Sequence, residues 1–193
     1  MSPFDRDRNR LFHLLWTYSW EERPVLLASG RPSHFFIDCK RTVLRAEGHA
    51  LVGSCFWEML QTLPKPCSAI AGVELGGCPL VSAVACLSFQ KGHPLDGLYV
   101  RKSAKDHGSM QLIEGGGHLP PGTAVVFLED VITTGSSALK AARHLQEGGY
   151  QISGIVALVD REEGGREAIE QANIPCLALF TQSDFRKMPP YLF

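Results

Sequence analysis

The chain has 193 residues, a formal net charge of −1, and a composition that is 45% hydrophobic and 20% charged. That length accommodates one α/β domain with a sizeable core, and the near-zero charge argues against a nucleic-acid partner, which would call for a broad basic footprint. Asp5, Arg6, Asp7, Arg8 and Arg10 stand where a signal peptide would carry its apolar stretch, and no later run reaches membrane-spanning length, so a cytoplasmic protein with no membrane partner is expected.

In chain order, Leu11, Leu14, Leu15 and Tyr18 give residues 10–20 a helical apolar spacing, and 25–28 reads as a short strand broken by Gly30 and Pro32. Residues 34–38 are strand-like. Residues 46–63 are helical through Leu51, Cys55 and Met59, and Pro64 and Pro66 end them. From there strands and helices alternate: strand 69–73, helix 79–90, strands 98–100 and 125–128, helix 137–146, strand 152–159, helix 166–172, strand 176–180. The alternation predicts an α/β fold, a mainly parallel central sheet flanked by helices. No Pro/Ser-rich linker divides the chain, so 1–193 is read as a single domain. The six cysteines form no Cys-x-x-Cys pair and the histidines are scattered, so buried, reduced thiols are expected rather than a zinc site.

The chemistry concentrates in residues 123–137. Val125, Val126, Phe127 and Leu128 read as a strand covered on both faces. Glu129 and Asp130 follow where such a strand leaves the sheet, the edge at which open α/β sheets bind ligands. Val131 and Ile132 lead into Thr133, Thr134, Gly135, Ser136 and Ser137, small and hydroxyl-bearing residues ahead of a helix whose free N–H groups and positive end favour a phosphate. Acids for a sugar beside a nest for its phosphate point to a ribose phosphate. No Gly-x-x-x-x-Gly-Lys-Ser/Thr or Gly-x-Gly-x-x-Gly pattern occurs, which disfavours nucleotide hydrolysis and hydride transfer.

These residues resemble the signature of the phosphoribosyltransferases, and the segment Arg101-Lys102-Ser103-Ala104-Lys105-Asp106-His107-Gly108 narrows the resemblance to orotate phosphoribosyltransferases. On its own that basic run is a solvated surface. With Gly115, Gly116 and Gly117 as a hinge it reads as a mobile lid over about 102–117. The resemblance implies a type I phosphoribosyltransferase fold with a small N-terminal hood over about 1–45. It implies that Arg101, Lys102, Lys105, His107, Glu129, Asp130 and the segment 131–137 bind phosphoribosyl pyrophosphate, with Lys102, Lys105, His107 and Asp130 as the catalytic set. It further implies a homodimer that shares the lid across its interface, and Mg²⁺ held mainly through the substrate rather than by an assigned protein ligand.

Gly76 and Gly77, between a strand and a helix, resemble the family's pyrophosphate loop, where backbone N–H groups approach the ligand. A plain strand-to-helix turn is the simpler alternative. Arg161 matches the family's orotate-binding arginine, against the alternative of an ion pair with Glu162 or Glu163. Thr133 matches a residue touching orotate, against an ordinary capping hydroxyl. Phe35 or Phe36 is expected to stack on the orotate ring, unless both are core. Ala28 and Gly76 stand where the family commonly has lysines, and Arg31 and Lys40 are nearby cations that could compensate. The expected activity is phosphoribosyl transfer from phosphoribosyl pyrophosphate to orotate in pyrimidine biosynthesis. The two departures support the alternative of a non-catalytic phosphoribosyl pyrophosphate sensor, and transfer to another nucleobase is the remaining reading.

Overall fold

The structure is a computed structural model that describes residues 1–26, 32–103 and 112–187. Its elements are α1 (Pro3–Tyr18), β1 (Trp20–Leu26), β2 (Pro32–Ile37), α2 (Lys40–Val43), α3 (Ala46–Leu60), β3 (Ala69–Val73), α4 (Gly77–Gln90), β4 (Asp96–Val100), β5 (Ile113–Glu114), β6 (Ala124–Ile132), α5 (Ser136–Glu147), β7 (Gln151–Asp160), α6 (Gly165–Gln171), β8 (Cys176–Thr181) and α7 (Gln182–Lys187).

A six-stranded sheet runs in the order β5-β4-β3-β6-β7-β8, parallel except for the antiparallel β4–β5 pair at one edge. Alternation along β6 loads both faces. Val126 and Leu128 join the cluster that packs against α1, α3 and α4, while Val125 and Phe127 join the one under α5 and α6. Chain order reverses between β3 and β6, which places the topological switch point at the carboxyl ends of those two strands. β1 and β2 form a separate antiparallel hairpin, held by a group of rings in which Trp16 stacks on Trp20 at 4.3 Å and Phe35 meets Phe185 edge-on at 5.7 Å.

Several boundaries depart from the apolar pattern. α1 begins at Pro3 rather than near residue 10, because Ser2 and Asp5 make a capping box: the Ser2 hydroxyl accepts from the Asp5 N–H at 3.0 Å and the Asp5 carboxylate accepts from the Ser2 N–H at 3.1 Å. The exposed first turns are then fixed by charge, with Arg10 donating to Glu47 at 2.6 and 3.0 Å. β6 does not stop at Leu128. It overhangs β3, whose pairing ends at Leu128, and stays bonded to β7 as far as the Ile132–Asp160 register. Glu129 and Asp130 are therefore strand residues with one neighbour removed.

Candidate active site

Two adjoining cavities open at the switch point. The first, about 490 Å³, is lined by Phe36, Glu129, Arg161 and the turn from Thr133 through Ser137. The second, about 630 Å³, is lined by Lys40, Glu74, Gly76, Lys102 and Asp130, and shares Glu129, Val131 and Ser137 with the first.

Glu129 is 6% exposed and its Oε2 has no hydrogen-bond partner. Burial, reinforced by the adjacent Asp130 charge, pushes its carboxyl well above the ordinary value. The pair thus resists carrying two full charges. Asp130 turns one oxygen back to the Val131 N–H at 2.9 Å and remains partly exposed.

The turn that follows is shaped by Gly135, at φ +76°, where an added Cβ would lie 2.7 Å from the Gly165 carbonyl oxygen. Only glycine fits that left-handed, backbone-crowded position without strain. No side chain caps α5, so its first-turn N–H groups face the cavity together with the exposed Thr134, Ser136 and Ser137 hydroxyls. Thr134 and Ser136 hydroxyls lie 3.0 Å apart, and Thr133 lines the cavity beside them. Ile132 lines it too, although it is 2% exposed and its side chain belongs to the core.

Arg161 sits just past β7. One guanidinium nitrogen donates to the Phe35 carbonyl at 3.0 Å and the Ser33 hydroxyl at 3.3 Å, and the same nitrogen lies 3.0 Å from Glu163. The expected ion-pair partner is therefore present, yet Arg161 and Glu163 are only 12% and 14% exposed, so this is no surface pair. Glu162 instead accepts from the Ser183 N–H and hydroxyl. Arg161 keeps a place in the cavity wall with its Nε unbonded.

The two phenylalanines separate. Phe35 is 2% exposed, so its ring is core and is removed as a stacking surface. Alternation along β2 turns Phe36 the other way, into the cavity wall, with the Arg23 guanidinium 3.9 Å from its ring centre.

The β3–α4 loop approaches β6 by backbone alone. A Cβ at Gly77 would meet Gly72 at 2.7 Å, and one at Gly76 would strike the Asp130 carboxylate. The Glu74–Leu75 peptide in this loop is cis. Glu74 accepts from the Lys102 N–H at 2.9 Å, which ties the loop to the second residue after β4. Arg101 lies 3.5 Å from Glu114 and donates its N–H to the Leu112 carbonyl at 2.8 Å. Lys105 and His107, like Ala28 and Arg31, lie outside the described residues.

No group of three or more metal-ligating side chains occurs among the described residues. The unbonded Glu129 Oε2 and the neighbouring Asp130 carboxylate are hard oxygen donors, a set that fits a Mg²⁺ sharing its ligands with substrate oxygens. Of the six cysteines expected to be buried, Cys39, Cys55 and Cys176 are, and burial pushes the Cys55 and Cys176 thiols up to about 12 and Cys39 well above its usual value; Cys67 and Cys78 are half-buried and Cys86 is exposed.

A family profile described as "Phosphoribosyl transferase domain" matches residues 46–174. The orotate phosphoribosyltransferase of Sorangium cellulosum is 58% identical over 93% of both chains, and that of Synechocystis is 42% identical over 97% of this chain and 92% of its own. The chain belongs to the orotate phosphoribosyltransferase family. Solved structures of the Mycobacterium tuberculosis orotate phosphoribosyltransferase share the fold of this family member: the complex with Fe(III) dicitrate superposes with a TM-score of 0.78 at 33% identity, covering 93% of this chain and 98% of that one. The complex with 5-phospho-alpha-D-ribosyl 1-diphosphate does so with a TM-score of 0.75 at 30% identity, covering 93% and 99%. Glu163, missed as anything but a competitor for Arg161, becomes in this orotate phosphoribosyltransferase the buried counter-charge that holds it. The Arg161-Glu162-Glu163 run carried that signal only as a local charge pair.

Proposed function

We propose that this protein transfers the 5-phosphoribosyl group of phosphoribosyl pyrophosphate to N1 of orotate, giving orotidine 5′-monophosphate and pyrophosphate in pyrimidine nucleotide biosynthesis. The observation that carries the reading is the pair of adjoining cavities, sharing Glu129, Val131 and Ser137, that sets the Glu129–Asp130 pair beside the uncapped start of α5. The names of its relatives support it, as does the sugar-diphosphate complex of the M. tuberculosis protein.

In this reading the 5′-phosphate sits on the N–H groups and hydroxyls of 134–137, while Glu129 and Asp130 take the ribose hydroxyls. Orotate is already an anion at neutral pH and needs no base to activate it, so positioning and electrostatics supply the rate. Arg161 offers its fork to the orotate carboxylate, Thr133 lies beside it, and Phe36 covers the ring. The N–H groups of Gly76 and Gly77, with Arg101 and Lys102, receive the pyrophosphate. Lys105 and His107 join them when the lid over about 102–117 closes below the hood formed by about 1–45, expelling water from the activated sugar. Glu129 and Asp130 would be the carboxyl oxygens available to a Mg²⁺ held mainly through the substrate, which when bound would supply positive charge to the pyrophosphate. Asp130 offsets positive charge developing at the sugar carbon. The protein acts in the cytoplasm as a homodimer whose lid serves the partner's site.

Purified protein mixed with phosphoribosyl pyrophosphate, Mg²⁺ and orotate should consume orotate absorbance, and uracil and hypoxanthine should not substitute. Loss of the signal on Lys105→Ala would tie it to the lid. Donor binding with no base consumed would instead make the protein a sensor.

A further inference from the structure

The cavity proposed to receive the pyrophosphate has no clear excess of positive charge. Its described lining sets the carboxylates of Glu74 and Asp130, and the Glu129 carboxyl that burial biases toward its neutral form, against the two ammonium groups of Lys40 and Lys102. A polyanion can settle there only where cations outweigh those acids locally. The β3–α4 loop contributes none at Gly76, which has no side chain and whose Cβ position is taken by the Asp130 carboxylate. Besides Lys102, the one cation in the described lining of this cavity comes from another element, α2.

Lys40, the first residue of α2, is built for that place. Asp38 accepts both from the Lys40 backbone N–H at 3.2 Å and from its ammonium at 2.7 Å, so one carboxylate sets the turn and aims the side chain. Cys39, 1% exposed, points its thiol at the Asp130 carbonyl at 3.8 Å, which fixes the preceding residue against β6 and hence Lys40 relative to the acids. The Lys40 side chain is 42% exposed, and an ammonium has three donors, of which Asp38 takes one. Its affinity for a proton is raised mainly by the Asp38 hydrogen bond, with Asp130 contributing through space, as expected of a charge that faces the pocket.

We infer that Lys40 is a substrate-binding residue that holds the pyrophosphate group of the sugar donor from the side opposite Lys102. The inference rests on the phosphoribosyl transfer proposed above, but it concerns the diphosphate and not the base. The competing account is an exposed Asp38–Lys40 pair that only stabilises the hairpin end.

Calorimetric titration of the full chain with pyrophosphate and Mg²⁺, with ribose 5-phosphate, and with orotate separates the two. Lys40→Met should weaken pyrophosphate binding and raise the KM for the donor by roughly 10- to 100-fold, the range for loss of a charge-assisted hydrogen bond. Ribose 5-phosphate affinity, orotate affinity and Tm should stay near wild type, and Lys40→Arg should restore most of the loss. Pyrophosphate affinity within about twofold of wild type, or an equal loss for all three ligands, would overturn the role. So would a wild-type chain that binds no pyrophosphate. If the wild type binds pyrophosphate but consumes no orotate, the orotate reading fails while the Lys40 titration still decides its own question.

Discussion

Burial gives two side chains in the pocket a character that their type alone would not predict. Glu129 is a carboxyl pushed upward by desolvation first and by the Asp130 charge second. Its folded value exceeds its unfolded one, so the folded protein binds the extra proton between the two. Its contribution to stability is therefore greatest below the ordinary 4.5 and declines as pH rises through the folded value. Glu129→Gln removes that decline. Thermal denaturation across pH 4–8 should show the variant gaining on wild type as pH rises, and curves that stay parallel would mean that Glu129 ionises normally. Arg161 is the reverse case, a largely enclosed guanidinium 3.0 Å from Glu163 that also donates to the Phe35 carbonyl. Arg161→Lys preserves the charge that Glu163 needs but loses the planar fork. The KM for orotate should rise roughly 10- to 100-fold with the donor KM little changed, as expected for losing a charged hydrogen bond in a dry site. An unchanged orotate KM would leave Arg161 as a strut between β7 and the hairpin.

At the scale of elements, the turn proposed to hold the 5′-phosphate depends on the meeting of two helix starts. Gly135 before α5 and Gly165 at the head of α6 touch backbone to backbone, and Gly135 needs positive φ as well. Gly135→Ala should cost about 1–2 kcal/mol from the left-handed conformation alone, lower Tm, and weaken ribose 5-phosphate binding by calorimetry. A stability loss without an affinity loss would place the phosphate elsewhere. The chemistry of this turn was legible because it lies in one contiguous stretch, Glu129 to Ser137. Its setting was less so. The strand reaches Ile132 because β7 continues beside it after β3 has ended, and no local pattern encodes a neighbour's length. α2, β5 and α7 are too short to show a period, whereas the true start of α1 was written in Ser2, Pro3 and Asp5, outside any apolar spacing. Period two along β2 separates Phe35 from Phe36, but which of them faces inward depends on Phe185, distant in sequence. Lys40 likewise enters the pocket only through tertiary structure.

For the whole molecule, the described cavities gather polar groups from β6, the start of α5 and the end of β7, while much of the proposed lid, including Lys105 and His107, lies outside the described residues. Whether those two side chains act in their own protomer or in a partner is a question of symmetry, and closed two-fold dimers give it a quantitative answer. Suppose the lid serves the partner's site, and two inactive variants, Lys105→Ala and Asp130→Asn, are mixed and allowed to exchange subunits. In a mixed dimer the protomer with intact Asp130 receives the intact lid of the other, and the second site collects both defects. Random exchange makes about half the dimers mixed, so about a quarter of wild-type turnover per site should return. If each lid closes on its own protomer, every site keeps one defect and mixing restores nothing. Asp130→Asn contributes cleanly only if its Tm stays close to wild type while its turnover falls by a factor on the order of 100, as expected when a group stabilising transition-state charge is neutralised. Orotate consumption measured before and after subunit exchange, with light scattering to verify the dimer, reads the arrangement directly.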